Sequence, residues 1–249
     1  MEEKISIKPE PILHIGDFQI TNSYLTSVIV SLLLIALIFW YKKQLNLKSD
    51  HRSKLFYFIH FINTAIYEFT ASLFGSKKTD IFFPIIASFF LFILVQNWFG
   101  LLPGVGSIYI KVIEHGQPHK YHLLRGATAD LNLTLALAMF SVILTQFYGI
   151  KILGFKEYIS KFINFANPIA FFTGILEIIS EFSKIISFAF RLFGNIFAGE
   201  VMIAIIASLM PILMSFPFLV LEVFVGLIQA LVFSMLTAVF INSAIQKHH

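Results

Sequence analysis

The chain has 249 residues, 57 % of them apolar and only 13 % charged, with 18 Lys or Arg against 14 Asp or Glu and no cysteine. So little charge cannot cover a water-soluble enzyme or sustain a disordered chain. The 13 glycines and the missing cysteines exclude collagen-like and disulfide-stapled classes. What remains is an all-α integral membrane protein, in which the placement of each charge matters more than the net of +4.

Residues 1–20 carry Glu2, Glu3, Glu10 and Asp17 with no basic start before an apolar run, so they read as an outer tail and not a signal peptide. A charge-free run over 21–41 is long enough to span, since a crossing helix needs about 20 apolar residues. Residues 53–76 are apolar but interrupted by Lys54, His60, Asn63 and Glu68, which predicts an amphipathic helix in the interface. Further spans are predicted over 81–101 and 128–150, and Phe155–Phe165 reads as a second, shorter interfacial segment. The stretch 168–209 is about twice a normal span. Pro211 and Pro217 bracket a break, and a second long helix follows over 213–247. The expected architecture is thus three ordinary spans, an interfacial helix, and a C-terminal hairpin of two long, strongly tilted helices. The whole chain reads as one membrane domain.

Basic residues set the orientation. With the N-terminus outside, the inner side receives Lys42, Lys43, Lys48, Arg52, Lys54, Lys77, Lys78, Lys151, Lys156, Lys161 and Lys247. Only Lys4, Lys8, Lys111, Lys120 and Arg125 fall outside. Five crossings then place the C-terminus inside. The inverted repeats of many transporters are not evident.

Six ionisable residues fall where the bilayer should be: Glu177, Glu181, Lys184, Arg191, Glu200 and Glu222. Such residues are costly at that depth and usually functional. At about 100° per residue, Lys184, Glu177, Asn195, Ser187 and Ala198 share a stripe within about 40° of Arg191, while Glu200 lies about 180° away. In an antiparallel hairpin, residues at equal depth have numbers adding to about 421 here, which pairs Glu200 with Glu222, Arg191 with Gln229, and Asn195 with Gly226. The first pair lies roughly 14 Å from the second along the helix. Acids therefore stand on both sides of Arg191. Carboxylates load and unload protons, whereas a guanidinium keeps its proton. That layout points to ion movement, with Arg191 as a fixed positive barrier between two acid-lined paths. The plain structural alternative is an arginine that holds the helix through a neighbouring acid; for Lys184 and Glu181 mutual neutralisation is the simpler reading.

The segment Ser187-Phe-Ala-Phe-Arg191-Leu-Phe-Gly-Asn195-Ile-Phe-Ala-Gly-Glu200 closely resembles the signature of subunit a of the F-type ATP synthase membrane sector. Asn97-Trp-Phe-Gly-Leu-Leu-Pro103-Gly, Thr128-Ala-Asp130-Leu-Asn132-Leu-Thr134, and Glu222 with Gln229 follow in the family's order. The resemblance runs from about Asp80 to the C-terminus. It implies a proton-translocating stator subunit, with Arg191 facing the carboxylate of a rotating c-ring. Asn195, Glu200, Glu222 and Gln229 would line an outer half-channel, Asp130 and Asn132 its entrance, and Glu177 the inner one. Many members have a histidine at one of the positions held here by Glu200 and Glu222, and two close carboxylates resist joint ionisation, which points to one shared proton. The implied partners are the c-ring, b-type peripheral stalk subunits and membrane lipid, with no nucleic acid, cofactor or metal. ATP chemistry falls to other subunits, and no G-x-x-x-x-G-K-[ST] loop occurs. The choice of H+ over Na+ rests with the c-ring site. The expected location is a bacterial plasma membrane, with an organelle membrane as the alternative.

Rival readings are a secondary transporter binding an anion at Arg191, and a membrane scaffold. Gly194 and Ala198 permit close helix approach, either to the rotor or within this chain. Thr128 and Asp130 either cap the third span or line the path. Asn97 and Trp98 suit an interface anchor. His115, His119 and His122 read as a solvated loop in preference to a metal site.

Overall fold

The computed structural model describes residues 9–15, 18–48, 51–106, 108–114, 117–163, 167–209 and 215–246. Readings that involve Asp17, His115, Pro211, Lys247 or the stretch 164–166 lie outside the described residues.

Five helices are long and apolar enough to cross a membrane: α1 (Asn22–Leu45), α3 (Ser76–Gly100), α4 (Leu131–Leu153), α6 (Pro168–Leu209) and α7 (Ser215–Ala244). Helices suit such a setting because each backbone donor finds its acceptor within the segment. Two further helices, α2 (Lys54–Phe74) and α5 (Phe155–Ser160), precede α3 and α6. Thr21 caps α1 through the Tyr24 N–H, Ser53 caps α2 through the Phe56 N–H, and Asp130 caps α4 through the Asn132 N–H. Each side-chain oxygen takes up a donor that the first turn leaves without an intrahelical partner. Gly75, at φ 71°, ends α2 and opens α3 at once, so Lys77, Lys78 and Asp80 belong to the start of α3 and not to a loop. Only glycine adopts that φ without strain. Pro217 sits inside the first turn of α7, where its missing N–H has no helical partner to lose, and so does not mark a break.

The chain is not helical throughout. Strands β1 (Pro11–Ile15) and β2 (Phe18–Thr21) form an antiparallel hairpin in the segment read as a plain tail. After α3 comes the short strand β3 (Pro103–Gly106), then a second hairpin of β4 (Tyr109–Glu114) and β5 (Gln117–His122) where a solvated loop was expected. In β4, Tyr109-Ile-Lys-Val-Ile-Glu supplies the β-branched and aromatic residues that suit strands. A 3-10 turn at Ala127–Ala129 leads into α4.

α3 lies at the centre, packed on α7, α2 and α1, and α4 packs on both α6 and α7. Phe82, Ile86 and Ile93 of α3 are fully buried among Phe188 and Leu192 of α6 and Phe233 and Ile241 of α7. Phe188 sits between Phe233 and Phe240, with ring centroids 4.8 and 5.4 Å away. Ala138, Ala189, Ala230 and Ala238 are fully buried, and such small side chains let helices come close where burial in lipid gives no other drive. Large apolar residues on the outer faces, Leu32 and Phe39 among them, stay exposed as a lipid-facing surface requires.

Candidate functional site

α6 has two unlike faces. Only Gly174, Phe188, Ala189, Leu192 and Gly199 are buried along its 42 residues. From Ser187 to Ala198 the burial alternates with helical period: Phe188, Ala189 and Leu192 point inward, whereas Ser187, Arg191, Asn195 and Ala198 form an exposed stripe. Among the described residues, none makes a hydrogen bond or ion pair to the Arg191 guanidinium.

About two and a half turns beyond Arg191, Glu200 lies on the other side and meets Arg125, with Arg125 Nη2 3.2 Å from Glu200 Oε2. Nε of the same arginine donates to the same oxygen at 3.4 Å. Glu222 of α7 is buried, and its carboxyl group lies against Gly199, in the space a side chain there would fill. α7 is held in that register by α3: Asn97 Nδ2 donates to the Gly226 carbonyl at 2.9 Å, and Trp98 Nε1 to the Val223 carbonyl at 3.0 Å. A Cβ on Gly226 would come within 3.1 Å of Asn97 Cβ, so glycine admits this approach. Gln229 follows on α7, half-buried.

Asp130 is buried where α4 begins. One carboxylate oxygen accepts from the Asn132 N–H at 2.9 Å, and the other accepts from Ser23 Oγ at 2.5 Å. One oxygen thus caps α4 while the other ties α4 to α1, and Asn132 itself is exposed in the first turn. Among the described residues, no partner is found for the buried side-chain oxygens Gln96 Oε1, Asn97 Oδ1 and Thr128 Oγ1. Buried atoms of this kind are normally met by ordered water.

A second polar cluster lies below Arg191 on α6. Lys161 Nζ is 2.8 Å from Glu177 Oε1, and Lys184 Nζ is 2.7 Å from Glu181 Oε1. Tyr158 of α5 donates its hydroxyl to Gln146 Oε1 of α4 at 2.5 Å. Glu181 Oε2 and Gln146 Nε2 are buried with no hydrogen-bond partner among the described residues. Burial and the nearby Glu181 and Glu177 carboxylates push the Tyr158 phenol up to about 12.

The model of a protein family described as ATP synthase A chain matches residues 24–242. The chain belongs to that family. It is accordingly a multi-pass membrane protein of the ATP synthase membrane sector, with a role in proton translocation coupled to ATP synthesis, and its partners are those of that sector.

Arg191 and Asn195 share one face, and the Glu222 carboxyl meets Gly199, the residue next to Glu200 in sequence. Glu177 stands apart from them, bound to Lys161. Sequence reasoning missed Arg125, Lys161, Tyr158, Gln146 and Ser23. In the sequence alone the two cations read as orientation charges. For Arg125 a usable signal was its position five residues before Asp130, in the same short connection that opens α4. Asn97 and Trp98, which suit an interface anchor by sequence, latch α3 to α7.

Proposed function

We propose that this ATP synthase A chain carries protons through two half-channels that meet at Arg191, which faces the carboxylate of the c-ring. The observation that supports it best is the exposed stripe of Ser187, Arg191, Asn195 and Ala198, with an arginine that has no hydrogen-bond or ion-pair partner among the described residues. A buried or lipid-facing guanidinium needs an anion, and the small neighbours let another helix supply one. The outer path runs past Asp130 and Asn132 to Glu200, Glu222, Asn195 and Gln229. The inner path runs past Glu177.

In this account a proton entering from outside neutralises a c-ring carboxylate. The neutral site moves into lipid at low cost, where an ionised one would not. After nearly a full turn the site reaches the inner path and releases its proton, drawn by Arg191. The guanidinium cannot relay a proton itself, so the two paths stay unconnected. Each charge crossing 100 mV yields about 2.3 kcal/mol. The long helices α6 and α7 lie strongly tilted, the N-terminus faces outward, and b-type subunits hold the chain against the rotor. The membrane is a bacterial plasma membrane.

The chain has no cysteine, so an introduced one is unique in it. Ser187→Cys and Asn195→Cys are expected to form disulfides with a cysteine placed beside the c-ring carboxylate. Ile186→Cys, also exposed but on another face of α6, is not. Cross-linking at Ile186 without cross-linking at the other two contradicts the reading.

A further inference from the structure

We propose that Arg125 is a positioning residue of the outer path: it holds Glu200 as a fixed anion and leaves Glu222 as the carboxyl group that takes up and passes on the proton. The inference rests on the two-path reading above. What carries it is the unequal setting of two acids at one level of the molecule.

Glu200 accepts two N–H groups of one guanidinium on one oxygen, at 3.2 and 3.4 Å. The Arg125 side chain is only 12 % exposed and that of Glu200 37 %. The arginine is placed by its backbone as well as by its charge. Its N–H donates to Thr26 Oγ1 of α1 at 3.3 Å. The next residue, Gly126, packs so closely on the end of α3 that a Cβ on Gly100 would stand 3.0 Å from Gly126 Cα. Arg125 Cζ also lies 6.0 Å from the ring centre of Phe197, one turn before Glu200. The connection is thus pinned to α1 and α3 while its guanidinium reaches α6.

Glu222 has no such cation partner among the described residues. It is 5 % exposed, its carboxyl faces the bare Cα of Gly199, and among the described residues nothing donates a hydrogen bond to it. A guanidinium bonded to a carboxylate favours its charged form against the cost of burial, whereas a carboxyl group without a fixed cation is more readily protonated and available to bind and release a proton. The two acids then act as one fixed anion and one carrier, and not as equal partners sharing a proton. A fixed anion beside the carrier also favours the arrival of positive charge on the outer side.

The test uses the whole ATP synthase in inverted membrane vesicles and reads the initial rate of ATP-driven acidification, normalised to the amount of this chain in the membrane. Arg125→Gln and Glu200→Gln are each expected to slow pumping on the order of tenfold. If Arg125 acts through Glu200, the double variant is no slower than the slower single one. Arg125→Lys, which keeps the charge, retains most of the rate. Losses that multiply in the double variant overturn the inference. So does full-rate pumping by Arg125→Gln beside a slow Glu200→Gln, or an Arg125→Lys as slow as Arg125→Gln. In those three cases the two-path reading stands. Full-rate pumping by Glu200→Gln instead contradicts the outer path itself, and the inference with it.

Discussion

The carboxyl group of Glu222 lies against the backbone of Gly199, so that an acid of α7 fills the place where α6 omits a side chain. Two helices joined by residues 210–214 and packed on each other rise equally per residue, and this contact fixes their register. It also brings Glu222 to the residue beside Glu200. The absence of a Cβ at position 199 is therefore a requirement of the proposed outer path and not only of helix packing.

Gly199→Ala tests that requirement. The added methyl collides with the Glu222 carboxyl, and either the side chain or α7 must shift, at a cost of about 1–3 kcal/mol. ATP-driven acidification of vesicles should slow on the order of tenfold while the complex still assembles. Pumping at the parent rate would show that Glu222 does not need this position.

Tyr158 tests the inner cluster by stability. Its hydroxyl serves Gln146, whose Nε2 has no partner among the described residues, and a Cβ on Gly149 would strike its ring. Tyr158→Phe leaves Gln146 Oε1 unpaired as well and should lower unfolding stability by about 1–3 kcal/mol. The phenol lies at about 12 in the fold, against an ordinary value of 10.0. The folded form thus binds this proton more tightly than the unfolded form. Its contribution is complete below pH 10, declines as the pH rises from 10 to 12, and is lost above that. Thermal unfolding in detergent should show this alkaline decline in the parent and less of it in Tyr158→Phe. Superimposable pH profiles would remove Tyr158 from that role.

Some of this was legible before any coordinates, and the reasons are physical. Long charge-free runs are a strong signal because lipid tolerates few charges, and they disclose five crossing helices. Helical periodicity places Ser187, Arg191, Asn195 and Ala198 on one stripe. What the period does not carry is the path of a loop. Arg125 reaches Glu200 across 75 residues of sequence, and Lys161, which precedes α6, meets Glu177 within it. Neither distance follows from spacing, so both cations read as surface charges. The hairpin of β4 and β5 escaped for another reason: a short pair of strands flanked by Gly and Pro gives the same composition as a polar loop.

The central claim is that Arg191 stands between two proton paths and faces the c-ring carboxylate. The most direct measurement is ATP-driven acidification of inverted vesicles carrying the assembled complex with Arg191→Ala. The account predicts that pumping is abolished while the complex remains assembled in the membrane. Acidification that survives the substitution would contradict it.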